Sequence, residues 1–176
     1  MVSNVSSETT VIVVDDEPDF LLITKKYLED SSDLHIESAL SVDEAHRLLA
    51  EKSFDVIVSD HPMPNKNGID FLTELRDKGD LTPFILFTGK GREEIVIQAL
   101  NLGADRYIRK GTDVEAMYTE MTVAIYQLHA TSKAKIDLQE SEEKYRVLVE
   151  NTPNMISITQ NGVHKFVDKA MCEKTK

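Results

Sequence analysis

The sequence predicts an α/β fold, a doubly wound sheet of five parallel strands with helices on both faces. Three observations predict it. Five short runs read as strands, at Thr10–Val14, Leu34–Ala39, Val56–Val58, Phe84–Phe87 and Asp105–Arg109, the first four of them rich in apolar and β-branched residues. The segments between them repeat apolar residues at helical spacing, and strands alternating with helices imply a parallel sheet covered on both faces. Four of the runs stop abruptly at a polar group, and open sheets of this kind place their ligand chemistry at the carboxyl ends of their strands.

Each element has its own warrant. Thr10–Val14 is an apolar run that ends at Asp15, Asp16 and Glu17, and Pro18 suits the first turn of a helix because its missing N–H costs nothing there. Phe20, Ile23 and Tyr27 carry that helix to about Asp30. Leu34–Ala39 alternates, and its polar His35 and Glu37 need an exposed face, so an edge strand is expected. Ser41 and Glu44 form a capping box before a helix whose apolar face is Ala45, Leu48 and Leu49. The run Val56–Val58 ends at Asp60, and Pro62 and Pro64 rule out an immediate helix. Gly68 opens a third helix carrying Ile69, Leu72 and Leu75, closed near Lys78 and Gly79. After Phe84–Phe87, Thr88 and Gly89 lead to a fourth helix with Ile95, Ala99 and Leu102, ended by Gly103. A fifth strand ends at Lys110 and Gly111, and Thr112 with Glu115 reads as a second capping box.

From Val114 to about Glu150 there is neither Gly nor Pro. Met117, Met121, Ala124, Leu128, Leu138, Tyr145 and Val149 fall on one heptad frame, interrupted by Thr131, Lys135 and Glu142. The stretch reads equally as a long helix that pairs two chains into a homodimer or as two helices broken near Thr131.

The composition bounds the rest. The chain has 176 residues, room for one ordinary domain and part of a second, and its 41% hydrophobic and 29% charged content fits a globular protein. A formal net charge of -11 argues against nucleic acid as a direct partner, since phosphate contacts need clustered Lys and Arg. The lone Cys172 excludes an internal disulfide or a Cys-based zinc site and is compatible with a reducing cytoplasm, the expected location. No apolar run reaches the length of a membrane span, and residues 1–9 form a polar tail without the apolar core of a signal peptide.

Four strand ends thus carry an acid pair, an aspartate, a hydroxyl and an ammonium. Singly, Asp15 and Asp16 are helix-capping acids, Thr88 is a cap and Lys110 a surface lysine. Together they are the parts of a phosphoryl-transfer site. Asp60 would be the nucleophile and the acids would hold a cation, with Mg²⁺ suited to hard oxygen donors. Thr88 and Lys110 would neutralise phosphoryl oxygens.

Over 10–130 the chain resembles a response-regulator receiver domain of two-component signalling, a flavodoxin-like fold. The resemblance rests on Val14, Asp15 and Asp16, on Asp60-x-x-Met63-Pro64-x-x-x-Gly68, and on Thr88, Tyr107 and Lys110 in that order. It implies that Asp60 takes a phosphoryl group from the phosphohistidine of a histidine kinase or a phosphotransfer protein. It also implies Mg²⁺ held by Asp16, Asp60 and the Pro62 backbone carbonyl, and through water by Asp15, with Thr88 and Tyr107 as the switch pair. Receivers generally carry proline after the lysine; Gly111 stands here and leaves the fine placement of Lys110 open. Pro62 and Lys90 occupy the positions that commonly tune dephosphorylation, and a proline cannot orient a water through its side chain.

Residues 131–150 are expected as a helical linker and 151–176 as the incomplete start of an α+β domain. Tyr145-Arg146-x-Leu148-x-Glu150-Asn151-x-Pro153 resembles the entry to a PAS sensor domain, with Met155–Thr159 and Val163–Val167 as its first hairpin around Asn161 and Gly162. Asp168 to Cys172 would begin its first helix. Two other functions are open to the sequence: a degenerate receiver serving as a dimerisation scaffold, and a haloacid-dehalogenase-type phosphohydrolase. The latter needs its nucleophile on the first strand with an aspartate two residues on, where this chain has Glu17 after Asp15.

Overall fold

The computed structural model describes residues 8–89, 93–150, 157–160 and 163–167. The polar segment before Glu8, Lys90 with Gly91, the stretch Asn151–Ile156, the Asn161–Gly162 turn and the helix expected from Asp168 lie outside these residues, as does the side chain of Val149. The backbone divides into a unit of residues 1–131 and one of 132–176.

In the first unit the elements alternate: β1 (Thr9–Val14), α1 (Pro18–Ser31), β2 (Leu34–Ala39), α2 (Val42–Glu51), β3 (Val56–Asp60), α3 (Gly68–Asp77), β4 (Phe84–Thr88), α4 (Glu93–Asn101), β5 (Arg106–Arg109) and α5 (Val114–Glu150). The five strands are parallel in the order β2-β1-β3-β4-β5, so β2 is an edge strand, as its polar alternation predicts. Strand order reverses between β1 and β3, which is the switch point where such sheets leave a crevice at their carboxyl ends.

Period-two alternation divides the core between the two faces. Val11, Val13, Val56, Val58, Ile85 and Phe87 point to the face covered by α1 and α5, where they meet Leu21, Leu28, Tyr118 and Met121. Ile12, Val14, Ile57, Phe84 and Leu86 point the other way and meet Ala45, Phe71, Leu72 and Ala99 of α2, α3 and α4. Central strands buried on both faces read as unbroken apolar runs, which is why Val11–Val14 and Val56–Val58 show no polar alternation.

The helix starts differ from expectation in detail. Ser41 accepts from Glu44 N at 3.2 Å, but Glu44 reaches back to Leu40 N rather than to Ser41 N. α3 begins at Gly68 as expected, but behind an unforeseen cap: the Asn67 side chain accepts from Ile69 N and Asp70 N while Asp70 returns the bond to Asn67 N. At α5 the cap is Asp113, accepting from Ala116 N at 3.1 Å, and not Thr112. A carboxylate one residue on from a threonine offers an acceptor at the same turn, and the sequence pattern does not rank the two.

α5 runs unbroken for 37 residues, so there is no break at Thr131, whose hydroxyl bonds back to Gln127 O inside the helix. The heptad frame changes partner along it. Met117, Met121 and Ala124 are buried against the sheet and Leu128 packs beside them, so this half of the expected intermolecular seam belongs to the core of the first unit. Leu138 and Tyr145 are exposed. In the second unit, β6 (Ser157–Gln160) and β7 (Val163–Val167) form an antiparallel pair. Among the described residues no helix is long and apolar enough to cross a membrane.

Candidate functional site

The strand registers bring the carboxyl ends level. Val14 lies beside Ser59, Asp60 beside Phe87 and Thr88 beside Arg109. Asp60 and Thr88 are therefore the last residues of β3 and β4, and Asp15 and Lys110 follow β1 and β5 directly. Asp15, Asp16 and Asp60 each present a carboxylate oxygen, and the three oxygens lie within 4.8 Å of one another. Asp15 and Asp60 are only 1% and 4% exposed, while Asp16 is the open member.

Lys110 reaches into this cluster with Gly111 behind it. Its Nζ donates to Asp15 Oδ2 at 2.7 Å and to Asp60 Oδ2 at 2.9 Å. The remaining oxygens are also engaged: Asp15 Oδ1 accepts from Glu17 N at 2.9 Å and Asp60 Oδ1 from His61 N at 2.8 Å. Burial lifts the Asp60 carboxyl above the ordinary aspartate range, and the Asp15 charge adds to this against the pull of the Lys110 hydrogen bond and charge. For Lys110 burial acts downward, but its bonds to Asp15 and Asp60 outweigh it and hold the ammonium above the usual lysine value. Burial lowers His61, whose Nδ1 is enclosed with no hydrogen-bond partner among the described residues.

Behind Asp60 the backbone is crowded. Ser59 Oγ donates to the Asp60 carbonyl at 2.9 Å, and Gly68 N donates to His61 O at 3.0 Å. A Cβ on Gly68 would stand 2.2 Å from the Asp60 carbonyl oxygen, so only glycine lets the start of α3 sit against the end of β3. In the loop between them Met63 N and Gly68 N bond to His61 O and Lys66 N to Pro64 O, and none of these bonds uses the Pro62 carbonyl.

Thr88 is buried, and its carbonyl accepts from Lys110 N at 2.9 Å. Tyr107 is half-buried on β5. Asp15, Asp16, Asp60, Thr88 and Lys110 thus share one sheet edge. Lys90, expected beside them, lies outside the described residues. Sequence reasoning missed the aromatic side of the site: Phe20 and Phe87 stack with centroids 5.5 Å apart, and their rings lie 4.5 and 5.4 Å from Lys110 Nζ. Phe20 reads from sequence as part of the apolar stripe of α1; its place in the first turn after the acid pair is the signal that pointed to the site.

Fold and site together define a class, the flavodoxin-like α/β domain with an acidic pocket at its switch point. The chain belongs to the response regulator receiver domain family, whose model matches residues 11–122. It is 36% identical over 105 residues to the transcriptional regulatory protein ResD of Bacillus subtilis (strain 168), covering 60% of this chain and 43% of ResD. It is 40% identical over 103 residues to the response regulator SaeR of Staphylococcus aureus (strain USA300), covering 58% of this chain and 44% of SaeR. The chain thus spans less than half the length of these curated relatives. Among solved structures, a receiver domain protein from Clostridium thermocellum matches at 29% identity and a TM-score of 0.65, over 72% of this chain and 98% of its own. A CheY-like receiver protein from Methanospirillum hungatei JF-1 matches at 26% identity and a TM-score of 0.56, over 77% and 99%.

Response regulator receiver domains act in two-component systems and are phosphorylated by histidine kinases. They bind Mg²⁺ in an acidic pocket, and the donor set here fits that ion: three converging carboxylates, hard oxygen ligands with no soft atom among them.

Proposed function

We propose that Asp60 is the phosphoacceptor of a two-component phosphorelay, taking its phosphoryl group from a histidine kinase or a phosphotransfer protein. The observation that carries this reading is the ammonium of Lys110 held between Asp15 and Asp60 at the mouth of the sheet. A carboxylate oxygen of Asp60 forms the new O–P bond as the P–N bond of the phosphohistidine breaks. The electron pair of that bond returns to the imidazole, which takes up a proton. Lys110 needs to turn only from carboxylate to phosphoryl oxygen to compensate the charge that arrives, and the Thr88 hydroxyl serves another oxygen. Asp15, Asp16, Asp60 and the Pro62 carbonyl would hold Mg²⁺, which supplies charge neutralisation at the transferring oxygens.

Thr88 and Tyr107 form the switch in this reading: the threonine moves toward the phosphoryl group and the aromatic rotates inward behind it. The message leaves along α5. Residues from about Tyr145 begin a PAS sensor domain, a reading supported by the antiparallel pairing of β6 and β7. Exposed Leu138 and Tyr145 support a homodimer formed by the helix beyond Thr131. The lone Cys172 and the acidic composition fit a cytoplasmic module that binds protein and not nucleic acid.

The test is labelling of the full chain with acetyl phosphate, read by intact mass with Mg²⁺ and with a chelator. One phosphoryl group on the wild type, none on Asp60→Asn and strong loss under chelation are expected. Undiminished labelling of the variant would move the acceptor elsewhere.

A further inference from the structure

Lys110 Nζ has two kinds of neighbour. They are the carboxylates of Asp15 and Asp60 and the rings of Phe20 and Phe87. Phe87 is a core residue of β4 with 1% exposure, and its presence needs no further reason. Phe20 is different. It sits in the first turn of α1, only partly buried against the core.

The lysine needs such a neighbour. It follows an edge strand, and its backbone is tied by Lys110 N to Thr88 O at 2.9 Å, with glycine after it. A Cβ on Gly89 would lie 3.7 Å from Lys110 Cβ, so this neighbour of the stem supplies no side chain to brace it. A four-carbon stem so placed has many rotamers to lose, and a cation lifted from water gains from an aromatic face. At 4.5 Å from the ring centroid, the ammonium lies well inside the range of that attraction.

We infer that Phe20 is a positioning residue for phosphoryl transfer: its ring face holds the Lys110 ammonium at the acid pocket. The inference rests on the reading of Asp60 as the acceptor. Phe20 touches no reacting atom and acts through the lysine. The aromatic face does the work, so tyrosine can replace phenylalanine and leucine cannot.

Two readouts test this on the full chain with Phe20→Leu and Phe20→Tyr. In NMR spectra the ε-methylene protons of Lys110 should be shifted upfield by ring current in the wild type and in Phe20→Tyr, and should return toward the free-lysine position in Phe20→Leu. In acetyl phosphate labelling with Mg²⁺, Phe20→Leu should slow the rate about three- to fivefold, the scale of one partly desolvated cation–π contact. Phe20→Tyr should stay within about twofold of wild type on the same scale. Wild-type rates in Phe20→Leu, or equal losses in both variants, would overturn the inference, and so would an unshifted Lys110 signal in the wild type. A wild type that takes no label on Asp60 would defeat the acceptor reading instead, and the NMR signal would still decide whether Phe20 holds the lysine.

Discussion

Asp60 sets a conflict at a single residue. Its folded carboxyl is raised above the ordinary value of 3.8, with burial the largest cause. A raised acid binds its proton more tightly in the folded chain. Its contribution to stability is therefore whole below 3.8 and is lost as pH climbs through the folded value. Once ionised, Asp60 destabilises the fold that positions it. Asp60→Asn should melt higher than the wild type near neutrality, Lys110 keeping Asp15 as its second partner, and the gap should close as pH falls into the carboxylate range. Thermal melts across that interval check it; a variant that melts lower at neutral pH would mean that the lost Lys110 bond dominates. Gly68 behaves oppositely. A methyl group 2.2 Å from the Asp60 carbonyl must push α3 off β3, and Gly68→Ala should cost about 3 kcal/mol or more in denaturant unfolding. The acid cluster and Thr88 are legible in sequence because each ends an apolar run, and Lys110 because it follows a short strand. Gly68 as a steric requirement is not, because the atom it must avoid belongs to the neighbouring strand.

At the scale of elements, α1 and α5 are joined by a buried polar contact. Thr24 Oγ1 and Tyr118 Oη lie 2.9 Å apart, with Thr24 0% and Tyr118 1% exposed, and Tyr27 stacks on Tyr118. Tyr118→Phe removes one partner and leaves the buried threonine hydroxyl without that bond, a loss of about 1–3 kcal/mol. Thr24→Val with Tyr118→Phe should recover part of it, and chemical denaturation of the four proteins closes the cycle. Purely additive losses would show that the two hydroxyls do not depend on each other. The sequence conceals this pair, since Thr24 and Tyr118 are 94 residues apart and each sits among apolar helix positions. It conceals the division of α5 for a related reason. A stripe that packs on a sheet and one that packs on a second helix share the same spacing, and Met117 and Leu138 can be told apart only once the sheet is there.

The whole molecule carries its receiver within the unit of residues 1–131 and continues α5 into a second unit. If the exposed stripe beyond Thr131 pairs two chains, Leu138→Lys combined with Tyr145→Lys should turn a dimer into a monomer in sedimentation velocity. The receiver melt should stay unchanged, because neither side chain packs on its core. A wild type that sediments as a monomer would dismiss the pairing. The five strands and their alternation with helices could be read from the chain, but the order β2-β1-β3-β4-β5 had to come from the fold, because apolar runs do not name their neighbours. That order also has a consequence in time. Lys110 is 95 residues from Asp15 and 50 from Asp60, so a ribosome releases all three acids well before the ammonium that joins two of them. The growing chain gathers β1 and β3 with their charges unopposed, and the closing contact spans a long loop. Arrival of β5 is thus the moment at which the pocket stops resisting its own assembly, and premature termination before it leaves a product whose acids repel.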